Sequence, residues 1–291
     1  MEKFGRSQPV TRVEDRRFLT GHGRYVDDIA PEGALHAFVF RSPVAHATIQ
    51  TLDVDEARQA RGVAAVLTCA DLEAAGLNVL MGATRVDNRD GSKGARTDRP
   101  LLARERVRFV GEPVALVVAE TLQQAKDAAE LIELDVEELP VKLDLGAGGA
   151  PLHDSAPDNR GFDWGLGDEA ATQRAFDAAA HTVALEIHDN RVITNSLEPR
   201  GCFAEWDGDR LHVAINGQGV WGQKKALVRA LDLPEDAVHV TNPDVGGGFG
   251  MKGAPYPEYA VVAQAARALG RPVRWMSERT EAMLSDHGAR D

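Results

Sequence analysis

The sequence predicts an α+β protein in two parts, and three observations carry that expectation. Val114–Val118 is apolar at every position and is followed first by helical spacing and then by strict alternation. Farther on, Asp207-Gly208 joins two segments of strand character. Between these regions lies a glycine-rich break, Gly146-Ala-Gly-Gly-Ala-Pro151, in which fixed structure is entropically costly. A chain of 291 residues with 43% hydrophobic content can bury two cores at about 150 residues per domain. The division is therefore placed at 1–145 and 146–291.

Taken in order, Ala34–Ser42 reads as a strand and Val63–Leu67 as a second, short and buried one. Met81–Arg99 is charged and aperiodic, with an Asp90-Gly91 turn, and reads as a loop. Val114–Val118 has the composition of a strand covered on both faces. Thr121 is the N-cap of a helix whose Leu122, Ala125, Ala129 and Ile132 fall on one face. Leu134 and Val136 then alternate with Glu133, Asp135 and Glu137, which predicts a strand with one wet face.

Beyond the break, Asp168–Ala180 has helical spacing and Thr182–His188 alternates as a strand does. Cys202–Trp206 and Arg210–Ile215 flank Asp207-Gly208-Asp209, a hairpin signal because Asp-Gly accepts the positive φ of a tight turn. Val220–Leu231 reads as a helix ended by Leu233-Pro234, and Val238–Thr241 as a strand. Glu258–Leu269 reads as an alanine-rich helix stopped by Gly270 and Pro272, and Val273–Met276 as the strand after it. There is no internal repeat and no low-complexity tract.

Charge and composition exclude several classes. With 33 Lys and Arg against 45 Asp and Glu, the net charge of −12 repels polyphosphate, so nucleic acid is not an expected partner. Cys69 and Cys202 are the two cysteines. They form no CxxC pattern, so neither a disulfide framework nor a thiolate metal site is expected. The opening Met1–Arg6 turns polar at once, without the apolar core of a secretory signal. No uncharged run approaches the ~20 residues of a membrane span. A cytoplasmic location is the expectation. No His-x-x-x-His pair and no Gly-x-Ser-x-Gly elbow occur.

One segment looks built for chemistry: Asn242-Pro-Asp-Val-Gly246-Gly247-Gly248-Phe249-Gly250-Met251-Lys252-Gly253. Consecutive glycines lose more backbone entropy on folding than other residues, so they need special dihedrals or close approach of another group. Two uses remain open from the residues alone: a plain turn, or a cradle of exposed N–H groups for an anion, an oxo group or a pterin. Gly248, Gly250 and Gly253 also satisfy G-x-G-x-x-G, with Glu278 beyond the next strand as an acid for a ribose. Yet Asn242-Pro-Asp244 precedes the glycines and Ala254-Pro-Tyr-Pro257 delays the helix, which argues against a dinucleotide fold. Lys252 is followed by Gly253 rather than Ser or Thr, which excludes a Walker loop. Gln218, in Asn216-Gly-Gln-Gly219, sits between a strand and a helix, where an amide can reach a ligand or simply stabilise a turn.

Several ordered motifs together resemble a known family. Arg12-Val-Glu-Asp15, Arg17-Phe-Leu-Thr-Gly21, Gly23-Arg-Tyr25 and Asp27-Asp28 resemble the opening of molybdenum hydroxylase large subunits, of the xanthine dehydrogenase, aldehyde oxidase and carbon monoxide dehydrogenase type. Arg41-Ser-Pro43, Ala45-His-Ala47, Val63–Leu67 and Phe109–Ala119 resemble that family's hammerhead domain. Glu198-Pro-Arg-Gly201, the Gln218 segment and Asp244–Gly250 resemble the start of its cofactor-binding domain.

The resemblance implies an α+β hammerhead domain followed by the incomplete first part of a molybdopterin-binding domain. It implies hydroxylation of an aldehyde or N-heterocycle, or oxidation of carbon monoxide, with oxygen from water. The cofactor implied is molybdopterin in its cytosine dinucleotide form, with no direct metal ligand from this chain. The partners implied are the C-terminal remainder of the large subunit, an iron–sulfur small subunit and an FAD-binding medium subunit.

By position, Gln218 would hydrogen-bond an oxygen ligand of molybdenum. Gly246, Gly247, Gly248, Phe249 and Gly250 would present amides to that sphere and the pterin, and Phe249 would wall the substrate. An acid follows the Gly-Lys pair in purine-oxidising relatives, whereas Gly253 follows Lys252 here, which disfavours purines. The sequence stops at His287-Gly-Ala-Arg-Asp291, before the family's later segments with the catalytic glutamate, so the chain alone is expected to be inactive. A non-catalytic module that docks an iron–sulfur subunit is the alternative.

Overall fold

The computed structural model describes residues 11–82 and 86–288. The polar opening at Met1–Arg6, residues 83–85 of the charged loop and positions 289–291 lie outside the described residues.

The first strands are β1 (Leu35–Arg41), β2 (Ala47–Asp53) and β3 (Val63–Leu67), preceded by the short helix α1 (Asp15–Leu19) and interleaved with α2 (Asp55–Gln59). Then come α3 (Cys69–Ala74), β4 (Leu80–Met81), β5 (Arg99–Pro100), β6 (Arg106–Val107), β7 (Pro113–Ala119), α4 (Leu122–Ala129) and β8 (Glu133–Glu138). The later part holds α5 (Glu169–Ala178), β9 (Gly201–Trp206), β10 (Leu211–Ile215), α6 (Trp221–Leu231), β11 (Val238–Thr241), α7 (Pro257–Leu269), β12 (Val273–Met276) and α8 (Arg279–Ser285).

A mixed seven-stranded sheet in the order β11-β10-β9-β12-β1-β7-β3 forms the centre. Strands from both sides of the glycine-rich break share it, because β1 pairs in parallel with β12 through Leu35↔Val273. All of β7 is buried, as its continuous apolar run predicts. Leu116 and Val118 face the core of α6 and α7, whereas Ala115, Val117 and Ala119 face α2 and α4. Helix α7 buries every residue from Pro257 to Ala266. A helix apolar on nearly all sides must lie inside, and its alanines let it approach the sheet closely.

Thr121 caps α4, its side chain accepting from the Gln124 amide. Of the predicted face, Ala125, Ala129 and Ile132 are buried together, joined by Ala128. Leu122 is exposed, and Ile132 packs into the same cluster from just past the end of the helix. In β3 only Val66 is fully buried, since β3 is an edge strand of the sheet. β8 does not return beside β7. It pairs with β2 in a three-stranded sheet, β6-β2-β8, where Glu133, Asp135 and Glu137 can stay in water instead of entering a sheet covered on both faces. The Asp207-Gly208 hairpin forms as expected, with Gly208 at φ 103°.

One predicted strand is absent: 182–188 has no strand partner among the described residues. Its alternating Val183, Leu185 and Ile187 are 93%, 79% and 76% exposed. Alternation supplies an apolar face, but a strand also needs a neighbour for its backbone groups.

A buried ion network joins the elements. The Arg41 guanidinium on β1 meets Glu258 Oε1 of α7 at 2.6 Å and Glu281 Oε1 of α8 at 2.7 Å. Arg200, at the entrance to β9, is fully buried and meets Glu258 Oε2 at 3.2 Å as well as Asp286. Its guanidinium lies 3.7 Å from the Tyr256 ring centroid. Burial opposes the Glu258 charge, but Arg200 and Arg41 outweigh it and hold its pKa below the usual carboxylate value. Glu258 thus stabilises the fold above the unfolded carboxylate pKa of about 4.3, and that contribution fades as pH falls toward the lowered folded value.

Glu258→Gln is expected to cost about 3–5 kcal/mol at pH 7, as for one partner removed from a buried ion pair. Urea titrations of parent and variant should show that gap, and the gap should narrow as the pH is taken below about 4.

Candidate functional site

The glycine run is held at both ends by polar contacts. At its start, Asn242 Nδ2 donates to Gly217 O at 2.9 Å, which ties the loop to the turn carrying Gln218. Asp244 receives the Arg24 amide at 2.6 Å and pairs with the Arg17 guanidinium. The segment around Arg17 and Arg24 therefore clamps the loop from the chain's N-terminal side. In the middle, the Gly246 amide donates to Glu198 Oε2 at 2.7 Å, and Gly246 O accepts from the Glu198 amide at 3.1 Å. At the end, the Gly250 amide donates to Gln218 Oε1 at 2.8 Å, and Lys252 O accepts from the Gln218 amide at 3.1 Å.

Lys252 is the floor of this arrangement. It is fully buried, and its ammonium donates to Glu198 O at 2.7 Å and Oε2 at 3.2 Å. Burial lowers its pKa while Glu198 opposes that shift. Ser196 Oγ also donates to Glu198 O, at 2.7 Å. Glu198 Oε1 is buried without a hydrogen-bond partner among the described residues.

The glycines answer to geometry. A Cβ on Gly246 would sit 2.5 Å from Glu198 Cβ, and one on Gly248 would sit 2.7 Å from Gln218 Cδ. Gly247 and Gly250 have φ of 102° and 92°, in the region that favours glycine. Phe249, without that freedom, still adopts φ 52° and exposes 76% of its surface. It is not a core residue.

Between the anchored amides of Gly246 and Gly250, no acceptor among the described residues engages the amides of Gly247, Gly248 or Phe249. Gln218 uses Oε1 inward, which leaves its amide N–H groups for a partner outside the loop. Such a set of donors suits an oxo ligand, an oxyanion or the polar edge of a pterin. Among the described residues no group of three or more His, Cys, Asp or Glu side chains is disposed to hold a metal ion.

All six site residues expected from the sequence, Gln218, Gly246, Gly247, Gly248, Phe249 and Gly250, fall in this one cluster. Their positions differ in kind, because Gly246 and Gly250 are tied to the protein while Gly247–Phe249 are open. Sequence reasoning missed the support, Lys252 with Glu198, and the clamp, Arg17 with Asp244. A lysine inside a glycine run was a usable signal for the first. The dinucleotide alternative fails on placement, since β11 ends at Thr241 and α7 starts at Pro257. The glycines therefore do not open the helix directly from the strand, as a pyrophosphate-binding turn requires.

Two family models match the chain. Residues 20–140 match the aldehyde oxidase and xanthine dehydrogenase a/b hammerhead domain, and residues 152–291 match the molybdopterin cofactor-binding domain. Among curated relatives, the nicotine 6-hydroxylase large subunit of Paenarthrobacter nicotinovorans is 39% identical over 289 residues, covering 97% of this chain and 34% of the relative. The carbon monoxide dehydrogenase large chain of Hydrogenophaga pseudoflava is 35% identical, covering 96% of this chain and 36% of the relative. Among solved structures, the quinoline 2-oxidoreductase of Pseudomonas putida 86 superposes with a TM-score of 0.81 at 37% identity, over 97% of this chain and 36% of that one. A Cu,Mo-containing CO dehydrogenase superposes at 0.85 with 34% identity, over 97% and 36%. The chain spans about a third of the length of these relatives. No helix among the described residues is long and apolar enough to cross a membrane.

The loop geometry makes a stability prediction. Gly246→Ala is expected to lose about 1–3 kcal/mol by overpacking against Glu198. Gly253→Ala, where a Cβ meets nothing within 4 Å, should leave the melting temperature unchanged or slightly raised.

Proposed function

Because the chain belongs to the aldehyde oxidase and xanthine dehydrogenase family of molybdenum hydroxylases, with its hammerhead domain and part of its cofactor-binding domain, we propose that it is the N-terminal part of a cofactor-binding large subunit. One observation carries this reading: three consecutive amides, Gly247–Phe249, without an acceptor among the described residues, beside Gln218 with its amide N–H groups unused there. The boundary between the two domains lies near residue 145, a placement supported by the gap between the two family matches.

The residues fit the group. Glycines stand where a side chain would fill the cradle, and the donors are neutral N–H groups suited to oxygen ligands and a pterin edge. When bound, the molybdenum cofactor supplies two-electron oxidation with water as the source of oxygen. Gly247, Gly248 and Phe249 would donate to its oxygen side, and Gln218 would donate from Nε2 while its Oε1 keeps the loop in shape. Lys252 and Glu198 hold the loop from below, so the donors need no rearrangement when charge develops in front of them. Phe249, exposed and held at positive φ, would form one wall for the substrate.

The substrate is an aldehyde, an N-heterocycle or carbon monoxide. The relatives named for nicotine, quinoline and carbon monoxide favour the last two classes. The cytosine dinucleotide form of the cofactor, iron–sulfur and FAD subunits as electron acceptors and a cytoplasmic location complete the reading. The exposed Val183, Leu185 and Ile187 would pair with the remainder of the large subunit, which in the relatives is about twice as long as the matched part.

Co-expression with a complementary C-terminal polypeptide tests the proposal. Stoichiometric molybdenum and dye-linked oxidation of a substrate from these classes should appear only in the joined complex. Within it, Gln218→Ala should keep the metal and lower kcat by about 10²–10³, as for loss of one pre-organised donor. Stoichiometric molybdenum in the isolated, monodisperse chain, or unchanged kcat in the variant, would count against the reading.

A further inference from the structure

On the two strands at the β11 edge of the central sheet, two histidines face each other as register partners. Leu211 and Val213 of β10, and Val238 and Val240 of β11, turn into the main core. Alternation therefore puts the neighbouring His212 and His239 on the opposite face. They are register partners in the parallel pair. Their rings meet edge to face with centroids 5.5 Å apart, and the two Nδ1 atoms are 3.4 Å apart. His212 Nε2 lies 2.9 Å from Asp207 Oδ2.

We propose that His212 and His239 form a binding site for a divalent transition ion of the zinc, copper or nickel class, ligated by both Nδ1 atoms. The separation is the argument. Two nitrogens each about 2.0–2.1 Å from a tetrahedral ion stand about 3.3–3.4 Å apart, which is the spacing the two Nδ1 atoms already have here. No strand has to move for the ion to enter.

Asp207 adds the outer contact such ligands need. A carboxylate accepts but does not donate, so it keeps the His212 proton on Nε2 and leaves the Nδ1 lone pair for a metal. His239 currently shares the short nitrogen contact with His212. A shift of its proton from Nδ1 to Nε2 frees the second lone pair, with no net change in protonation. Metal then replaces one imidazole–imidazole hydrogen bond with two coordinate bonds.

The two rings line one cavity with Arg17, Arg24 and Asp244, where Arg17 is already paired with Asp244, and on its other side His212 borders a second, open cavity with Asp207, Asp209, Asp236 and Arg210. With two protein ligands, water completes the sphere and the site stays open. This inference does not depend on the molybdenum reading, because it uses none of the glycine-loop residues.

Zinc ion alone, titrated calorimetrically into the full chain, tests it. One equivalent should bind, and His239→Gln should weaken binding at least tenfold. Asp207→Asn should weaken it about 10–100-fold, as for loss of a carboxylate behind a ligating imidazole. Imidazole ¹⁵N spectra of the unmodified chain give a readout that needs no variant to fold. Zinc should shift the Nδ1 signals of His212 and His239 and leave those of the other histidines unmoved. A His212→Gln, His239→Gln double variant that binds zinc like the parent, or zinc shifts confined to other histidines, would overturn the proposal.

Discussion

The fold depends on keeping Arg200 charged where no water reaches it. Removing a guanidinium from water costs several kcal/mol, and close acidic partners with further contacts must offset that cost. Glu258 does so from the first turn of α7, Asp286 from beyond α8, and the Tyr256 ring presents its face on a third side. Glu258 is shared with Arg41 of β1, which also receives Glu281 of α8. One carboxylate thereby fixes the relative positions of strands from both sides of the glycine-rich break. The two acids on Arg41 behave differently for a simple reason. Glu258 has two cations beside it and its pKa falls, whereas burial dominates at Glu281, which has Arg41 alone among its cations, and its pKa rises.

The glycine loop inherits its shape from this network. Glu198 immediately precedes Pro199 and Arg200, so fixing Arg200 fixes the carboxylate that takes the Gly246 amide. Lys252 lies on the approach to Glu258 and α7, and its buried ammonium reaches back to Glu198. The loop is spanned between two anchored points, with Gln218 bracing its far end. A run of glycines would otherwise be the most flexible part of the chain. Here the flexibility is removed by its neighbours, and what remains of glycine's character is the absence of side chains over three amides.

Much of the fold was legible in the sequence where local physics decides. The continuous apolar run of β7, the Thr121 cap, the Asp-Gly hairpin and the alanine-rich α7 each follow from short-range rules, and each is present. What escaped was set by partners remote in sequence. The destination of β8 depends on which sheet leaves one face wet, and nothing between Glu133 and Glu138 names β2. On α4 the spacing named Ala125, Ala129 and Ile132 correctly and misplaced only Leu122, which is exposed in the first turn. The segment at 182–188 has the alternation of a strand, but alternation describes a face and not a neighbour. At the site, the glycines were conspicuous because glycine is costly, so the cluster of six residues could be named. Lys252 and Glu198 were not, because a charged residue in a loop reads as solvated until its burial is seen. Arg200, Glu258 and Arg41 have no periodic relation to one another and could be joined only in three dimensions.

An open cradle of amides is electrostatically modest. Facing water, each N–H competes with a solvent of dielectric about 80, and a donor–acceptor contact there contributes a small fraction of what it does in a dry site. Gly247, Gly248 and Phe249 lie at the surface of this chain, and Phe249 is largely exposed. For these donors to act on a developing charge, something must cover them and exclude water. The exposed apolar residues along 183–197 are suited to hold such a cover, since they would be left wet without one. On the proposed reading, this chain would contribute the rigid, pre-set half of a site whose chemical strength depends on a second surface over the loop.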